Sequence, residues 1–231
     1  MVNSSFQYTA RFLTSIERTI SRERLQPYLN AAHSNCVKAV ELYEFNVAIS
    51  EALYGYLHGL EIAIKNAIHH ELNCAYGTPH WYDCAPLSPH HQSKFIQEAK
   101  KKAGQNVPAG KVIAELAFAF WTGLVAHQYN WTLWVPYLHK AFPHAKTPRN
   151  HVSRRLEAIR NLRNRIAHHE RILTSQCCLR AGHQRYITLR EISECAEWIC
   201  PDTAKWLAAK FRYTEARTIL GKVSTMEVHL L

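Results

Sequence analysis

The sequence predicts an all-α protein. Of its 231 residues, 47% are hydrophobic and 20% are charged, which is enough apolar material for a sizeable core. Only eight residues are glycines, and the alternating β-branched runs with Asn-Gly or Asp-Gly turns that mark β-hairpins are missing. Apolar residues instead recur every three or four positions over long stretches, as they do on the buried face of a helix.

The longest helical pattern covers residues 34–75. Its apolar positions keep the spacing of one buried helix face, and a turn sequence around Pro79 follows it. Gly55 and Gly59 lie inside this pattern, where they could weaken the helix or allow another helix to approach closely. The segment therefore predicts one long helix near the centre of the fold.

Further helices are predicted in the middle of the chain. Residues 90–103 form a basic amphipathic pattern, and the almost wholly apolar segment 111–127 predicts one buried central helix. Residues 129–137 are rich in aromatic side chains, which we interpret as core and helix-junction packing rather than as a surface for base stacking. A helix is then predicted to start within residues 147–150 and to continue to about Leu173, followed by a less regular piece.

Two helices are predicted to close the fold, at about residues 188–199 and 201–219. The sequence contains no internal repeat and no low-complexity linker, so one helical domain is the economical interpretation. We assign residues 34–220 to this domain, residues 1–33 to an N-terminal helical arm and residues 221–231 to a C-terminal tail.

The charge balance favours a polyanionic partner. Lys and Arg number 28 against 18 Asp and Glu, which gives a net charge of +10. Such a charge suits nucleic acid or an acidic membrane surface, although ordinary basic proteins carry it too. The seven cysteines show neither Cys-x-x-Cys spacing nor the paired Cys/His spacing of a zinc finger, so no metal site is expected. We expect no cofactor either. Because the sequence shows neither a signal peptide nor a long apolar span, we expect a cytoplasmic protein without a membrane partner.

The helix predicted after Pro148 concentrates this charge. From Lys146 to Arg171, eight basic residues stand against two acids, which supplies +6 of the net +10. Apolar residues keep helical spacing, so one face is buried and the remainder forms a basic stripe suited to a phosphate backbone. A solvated face is the ordinary alternative, but such faces usually mix the two signs. The predicted RNA-binding residues are Arg149, Arg154, Arg155, Arg160, Arg165 and Arg171.

Three residues of this helix, Arg163, Asn164 and His168, form a candidate catalytic group. Asn164 and His168 are four apart and share a face, so the amide could orient the imidazole or contact a substrate. Arg163 lies about 140° round the helix from His168, and its long side chain or a second copy of the motif must close that gap. A histidine can transfer protons and a guanidinium matches phosphate, which are the groups that metal-independent RNA cleavage needs. Taken alone, so short a motif is weak.

The segment RNRIAHHERI, residues 163–172, resembles the Abi-like family of bacterial phage-defence proteins within the HEPN superfamily. The mark of that superfamily is Arg-(polar)-x3-His on a helix. Similar blocks occur along the chain in the order expected for the family, and the resemblance covers about residues 36–173. The blocks are ELYEFNVAISEAL (41–53), LEIAIKNAIHHEL (60–72), YGTPHWYD (76–83), AELAFAFWTGL (114–124) and LWVPYLHKAFP (133–143).

The resemblance implies a HEPN-type helical bundle with additional peripheral helices. It also implies a homodimer that juxtaposes two motifs, and RNA cleavage without metal through Arg163, Asn164 and His168. The implied role is that of a toxin-like protein of abortive infection, which cuts host or phage RNA. Some relatives are encoded beside a structured small RNA, so a toxin–antitoxin arrangement with a noncoding RNA partner is a further expectation.

The resemblance also singles out supporting residues. The superfamily often carries a Glu-x3-Lys pair on an earlier helix, and Glu61 and Lys65 fit that spacing, with Asn66 beside them. The ordinary alternative for Glu61 and Lys65 is a surface ion pair worth about a few tenths of a kcal/mol. His169 and Glu170 are family-like as well, and Glu170 could orient a histidine.

Two functions are therefore compared. The first is an endoribonuclease that leaves a 2′,3′-cyclic phosphate. The second is a non-catalytic HEPN RNA-binding module held in complex with a cognate small RNA, which predicts tight and salt-dependent binding without cleavage. A helical module that only regulates a partner protein explains the basic stripe poorly.

Overall fold

The computed structural model describes residues 6–104, 106–173, 179–180 and 186–226. It confirms the all-α class, since the only sheet within these ranges is a hairpin of two-residue strands, β1 and β2. Among the described residues, no helix is both long enough and apolar enough to cross a lipid bilayer. The helices and strands are α1 (Ala10–Ile20), α2 (Arg22–Ala31), α3 (Cys36–Tyr76), α4 (Pro89–His91), α5 (Glu98–Ala103), α6 (Ala109–Glu115), α7 (Phe118–Gly123), α8 (Arg149–Ala167), β1 (Leu179–Arg180), β2 (Tyr186–Ile187), α9 (Leu189–Ile199), α10 (Pro201–Lys210) and α11 (Tyr213–Ser224).

The chain divides into two compact units. The first is formed by Met1–Tyr56, Leu162–Leu189 and Ala208–Leu231, and the second by Leu57–Asn161 and Arg190–Leu207. Helices α3 and α8 each contribute residues to both units. The predicted division into an arm, a domain and a tail follows sequence position rather than compactness, and it stays a prediction.

Helix α3 confirms the long pattern predicted over residues 34–75. Most apolar positions of the pattern are fully buried, as at Leu53 in the first unit and Ile64 in the second, whereas Val47 is exposed. The close approach expected at a glycine occurs at Gly55, where a Cβ atom would lie 2.8 Å from Cδ1 of Phe211. Gly55 therefore gives Phe211 the room to pack against α3.

The basic segment 90–103 is helical as predicted. Helix α4, a π-helical turn at Gln92–Gln97 and helix α5 follow one another without a break, and Gly104 ends them with φ at 99°. The aromatic segment that follows further on also packs largely as interpreted, since Tyr129 is buried and Trp134 stacks on Phe142. Trp131 is the exception, with 80% of its surface exposed.

The prediction of a single central helix over residues 111–127 is wrong. Helix α6 ends at Glu115 and helix α7 begins at Phe118, because Leu116 and Ala117 adopt extended backbone with ψ at 118° and 151°. The break leaves both Leu116 and Phe118 buried. In an almost wholly apolar sequence, the spacing of polar residues does not show where the chain changes direction, so the pattern could not predict this break.

Two further predicted boundaries are corrected. The helix that starts at Arg149 ends at Ala167 rather than near Leu173. The helix predicted over residues 201–219 is two helices, because the chain turns at Phe211, which packs on α3, and α11 then continues to Ser224. Cys177 and Cys178, in the piece predicted to be irregular, lie outside the described residues.

Candidate functional site

His168 stands at the end of helix α8, where the backbone closes the helix. His169 enters the left-handed region with φ at 56°, and its N–H donates to the carbonyl of Ile166 over 3.1 Å. The N–H of Glu170 reaches back to the carbonyl of Arg165 over 2.8 Å. These two bonds form a Schellman motif, which satisfies the last carbonyls of a helix. The backbone that carries the His168 imidazole is therefore held on its C-terminal side.

The His168 side chain is exposed to solvent, while the two other predicted catalytic residues are half-buried. The backbone N–H of His168 donates to the carbonyl of Asn164 over 2.9 Å, and Nη1 of Arg163 lies 3.4 Å from Oδ1 of Asn164. No side chain among the described residues forms a hydrogen bond with the imidazole. Orientation of that imidazole by the Asn164 amide thus stays a prediction.

Asn46 of helix α3 holds the segment that follows His168. Only 4% of Asn46 is exposed, and its Oδ1 accepts the N–H groups of Ile172 and Leu173 over 2.8 and 3.2 Å. Its Nδ2 donates to the carbonyl of Glu170 over 3.3 Å. One buried amide therefore satisfies three backbone groups just beyond the motif. Sequence reasoning missed Asn46, although a polar residue inside an apolar helix pattern is a usable signal.

Helix α2 contacts the same segment through two bonds from arginine to backbone carbonyl. Nη1 of Arg24 donates to the carbonyl of His169 over 2.7 Å, and Nη1 of Arg171 donates to the carbonyl of Pro27 over 3.2 Å. Arg171 is half-buried, and this burial lowers its pKa. Sequence reasoning gave Arg24 no role, because the contact joins positions 145 residues apart.

Arg165 and Glu170 pair with each other beside this segment. Nη1 of Arg165 lies 3.0 Å from Oε2 of Glu170 and donates to the carbonyl of Arg171 over 3.2 Å. The structure thus brings the Glu170 carboxylate to an arginine and does not bring it to His168. Both side chains help to fix the chain after the motif.

In the second unit, two of the predicted RNA-binding arginines bind the protein itself. Nη1 of Arg149 donates to the carbonyl of Val125 over 2.7 Å. Arg155 forms an ion pair with Glu191, and only 12% of the Arg155 side chain is exposed. These contacts hold other parts of the unit against α8, which is a structural use of the charge.

The two remaining arginines of the stripe differ in exposure. Arg160 is half-buried, donates to Oγ1 of Thr122 over 3.3 Å and lies 3.8 Å from the carboxylate of Glu157. Arg154 is the only one of the six predicted RNA-binding arginines that is exposed. Within the part of the chain that the structure describes, it bonds only to the carbonyl of Asn150 in its own helix. Arg154 is consequently the member of the stripe most accessible to a ligand.

The supporting pair Glu61 and Lys65 lies in the second unit. Its Nζ and Oε1 atoms are 2.7 Å apart, and the side chains are only 9% exposed for Glu61 and 21% exposed for Lys65. The pair is therefore more buried than the ordinary surface ion pair considered above, and loss of one partner would leave a partly buried charge. Asn66 beside them is exposed. A part for these three residues in catalysis stays a prediction.

The end of α8 offers groups suited to acid–base chemistry on a phosphate. An exposed imidazole can donate or accept a proton, and the guanidinium groups of Arg163 and Arg24 can donate to phosphate oxygens. Within the described ranges, no three His, Cys, Asp or Glu side chains form a group that could hold a metal ion.

Comparison with models of known protein families gives a match. The family described as Abi-like protein matches residues 6–174, which is most of the chain and includes the whole motif and Asn46. Among curated proteins and among solved structures, the chain has no significant match.

Proposed function

This chain belongs to the Abi-like family, and from that membership we propose that it is a HEPN-type endoribonuclease that needs no metal. The family suggests a role in abortive infection, a form of phage defence. The observation that carries the proposal is that the His168 imidazole is exposed while the backbone around it is held by hydrogen bonds. His168 lies between the last turn of α8 and the segment whose backbone groups bind the Asn46 amide. A histidine that only packs the core would be buried instead.

The proposed reaction is an internal transfer of the phosphodiester. His168 takes the proton of the ribose 2′-hydroxyl, O2′ forms a bond to phosphorus, and the bond from phosphorus to O5′ breaks. The departing O5′ takes a proton from an acid, so the products are a 2′,3′-cyclic phosphate and a 5′-hydroxyl. Arg163 stabilises the negative charge that grows on the phosphorane. Asn164 positions the groups beside it.

A homodimer supplies the second proton transfer. One imidazole cannot be both the base and the acid of a single step, and the second copy of the motif brings another. Mixing wild-type and His168→Ala subunits in equal amounts tests this point, because after exchange of subunits only about a quarter of the dimers carry two imidazoles. If each cleavage needs both imidazoles, the mixture retains about a quarter of the wild-type activity at the same total protein concentration. Activity of about half, with exchange of subunits verified, contradicts the shared site.

The proposal as a whole is tested by RNA cleavage in the presence of EDTA. We expect the wild type to cut single-stranded RNA, and His168→Ala to lose about 100-fold or more of that rate. His58→Ala is the matched control, because His58 is another exposed histidine on a helix. RNA affinity and thermal unfolding should be similar in all three proteins. Cleavage by His168→Ala at the wild-type rate removes the proposed role of this residue.

The second candidate is a non-catalytic RNA-binding protein that holds a cognate small RNA. It is favoured by one observation, namely that no described side chain orients the His168 imidazole. This candidate predicts strongly salt-dependent binding and no cleavage by the wild type. Sequencing of the RNA retained through purification separates the two candidates. One structured species indicates a cognate partner, whereas heterogeneous fragments indicate a pool of substrates.

A further inference from the structure

The candidate site lies at the C-terminal end of α8, where a helix is electrostatically unfavourable for a phosphate. The final carbonyl groups of a helix carry a partial charge of about −0.5. Two nearby arginines already serve the protein, since Arg165 pairs with Glu170 at 3.0 Å and the half-buried Arg171 binds a carbonyl of α2. Arg163 is assigned to the reacting phosphate in the proposed mechanism, so the positive charge that offsets this helix end must come from a further residue.

Arg24 supplies positive charge at this place. Its Nη1 lies 2.7 Å from the carbonyl oxygen of His169, so the guanidinium rests against the residue next to His168. The Arg24 side chain is exposed and forms no ion pair with any residue that the structure describes. The carbonyl takes one of the five N–H groups of the guanidinium, and the others remain for a second acceptor.

The guanidinium groups of two arginines lie near the Tyr28 side chain of α2. Burial raises the pKa of the Tyr28 hydroxyl, and the charges of Arg171 and Arg24 act against that rise. Of these two guanidinium groups, the one of Arg171 is half-buried and the one of Arg24 is exposed. Arg24 is thus the cation that an incoming strand can reach.

We propose that Arg24 binds a phosphate of the RNA strand at the His168 site, a role that rests on the function proposed above. Through its bond to the His169 carbonyl, Arg24 offsets the negative end of α8. Through its remaining N–H groups it binds a non-bridging phosphate oxygen, for which the forked guanidinium is well shaped. The N-terminal helices thereby contribute a phosphate-binding residue to the site.

The experiment compares Arg24→Gln with Arg18→Gln, which removes the same charge from an exposed position of α1. Binding of a single-stranded RNA is measured in the His168→Ala background at several salt concentrations, so that the strand is not cut. We expect Arg24→Gln to weaken binding about tenfold and to reduce the slope of log K against log salt by about 0.7, as loss of one phosphate contact predicts. Arg18→Gln should change the affinity less than about twofold.

Cleavage by the otherwise wild-type protein provides the second readout. Arg24→Gln should lower kcat/KM about tenfold or more, and Arg24→Lys should restore part of the loss, because it returns the charge without the fork. Thermal unfolding of the Gln variants should match the wild type. A structural role would leave the salt slope unchanged, and the slope is therefore the deciding measurement.

The outcomes separate this inference from the proposed function. If the wild type binds and cuts RNA but Arg24→Gln keeps the wild-type salt slope, the role of Arg24 is overturned and the nuclease stands. Weaker binding with an unchanged slope has the same meaning. If the wild-type protein neither binds nor cuts RNA, the proposed function itself fails.

Discussion

Helix α8 uses its polar side chains differently along its length. In residues 149–161, Arg149, Arg155 and Arg160 are half-buried and bind groups of the protein itself. At the other end, bonds from neighbouring elements converge on the backbone after His168 and leave its imidazole exposed. The number of basic residues in a helix therefore overstates the number of positive charges that RNA can contact. Each arginine must be assigned by its partners.

The largest effect on stability is expected from Asn46→Ala. The substitution leaves the buried N–H groups of Ile172 and Leu173 without acceptors, and it should lower the free energy of unfolding by about 3 kcal/mol. Val47→Ala, at the exposed neighbouring position, should change it by less than about 0.5 kcal/mol. Urea unfolding measures both. Equal stability of the two variants would mean that the segment after α8 does not depend on the Asn46 amide.

The difference within α8 is tested by two adjacent arginines. Arg155→Gln leaves the half-buried Glu191 carboxylate without its cation and should cost about 2 kcal/mol. Arg154→Gln removes the same charge from an exposed position, and it should cost less than about 0.5 kcal/mol while it weakens RNA binding. Chemical unfolding and RNA titration provide the measurements. Should both variants lose the same stability, the separation into structural and accessible arginines is wrong.

A smaller effect is expected on acidification, and it belongs to the second unit. Burial lowers the pKa of His69 and of His91, and the neighbouring His70 and His90 add to the effect. Below a pH of about 6.5, these histidines bind protons more readily in the unfolded chain than in the folded protein. The free energy of unfolding therefore decreases as the pH is lowered. His69 also accepts the indole N–H of Trp81 at Nδ1 over 2.9 Å, a bond that protonation removes.

The matched variant for this effect is His69→Asn, because the amide oxygen can replace Nδ1 as acceptor without taking a proton. Its free energy of unfolding, measured by urea between pH 7.5 and pH 5.5, should fall less than that of the wild type. An equally steep loss in His69→Asn would show that His69 is not among the residues responsible.

The smallest effect is expected at His169, which holds a left-handed conformation with φ at 56°. Glycine adopts this conformation freely, whereas a Cβ atom makes it costly. His169→Gly should therefore be more stable than His169→Ala by about 1 kcal/mol, as measured by thermal unfolding. If alanine were as stable as glycine, the Schellman closure of α8 would not exist in solution.

The sequence predicts what depends on local periodicity. The all-α class, helix α3 and the start of α8 follow from apolar spacing, and the approach at Gly55 follows from the absence of a side chain. The end of α8 was predicted too late, because His169 is a less usual residue than glycine at a left-handed helix end. The break between α6 and α7 at Ala117 could not be predicted, because the residues around it are almost all apolar.

The candidate site is only partly visible in the sequence. Arg163, Asn164 and His168 could be named because they are close in the chain. Asn46 and Arg24 act over 124 and 145 positions through bonds to backbone groups, and such bonds impose no residue type on the partner. The chain therefore reveals the groups that could do chemistry, and only the structure shows what holds them.

The most direct test of the central claim is the chemistry of the RNA ends. After cleavage in EDTA, mass spectrometry of the products should find a 2′,3′-cyclic phosphate and a 5′-hydroxyl for the wild type, and almost none for His168→Ala. A strand with a 2′-deoxy nucleotide at the cut position should resist cleavage there. Products that end in a 3′-hydroxyl, or cyclic ends formed equally well by His168→Ala, would contradict the proposal that this imidazole activates the 2′-hydroxyl.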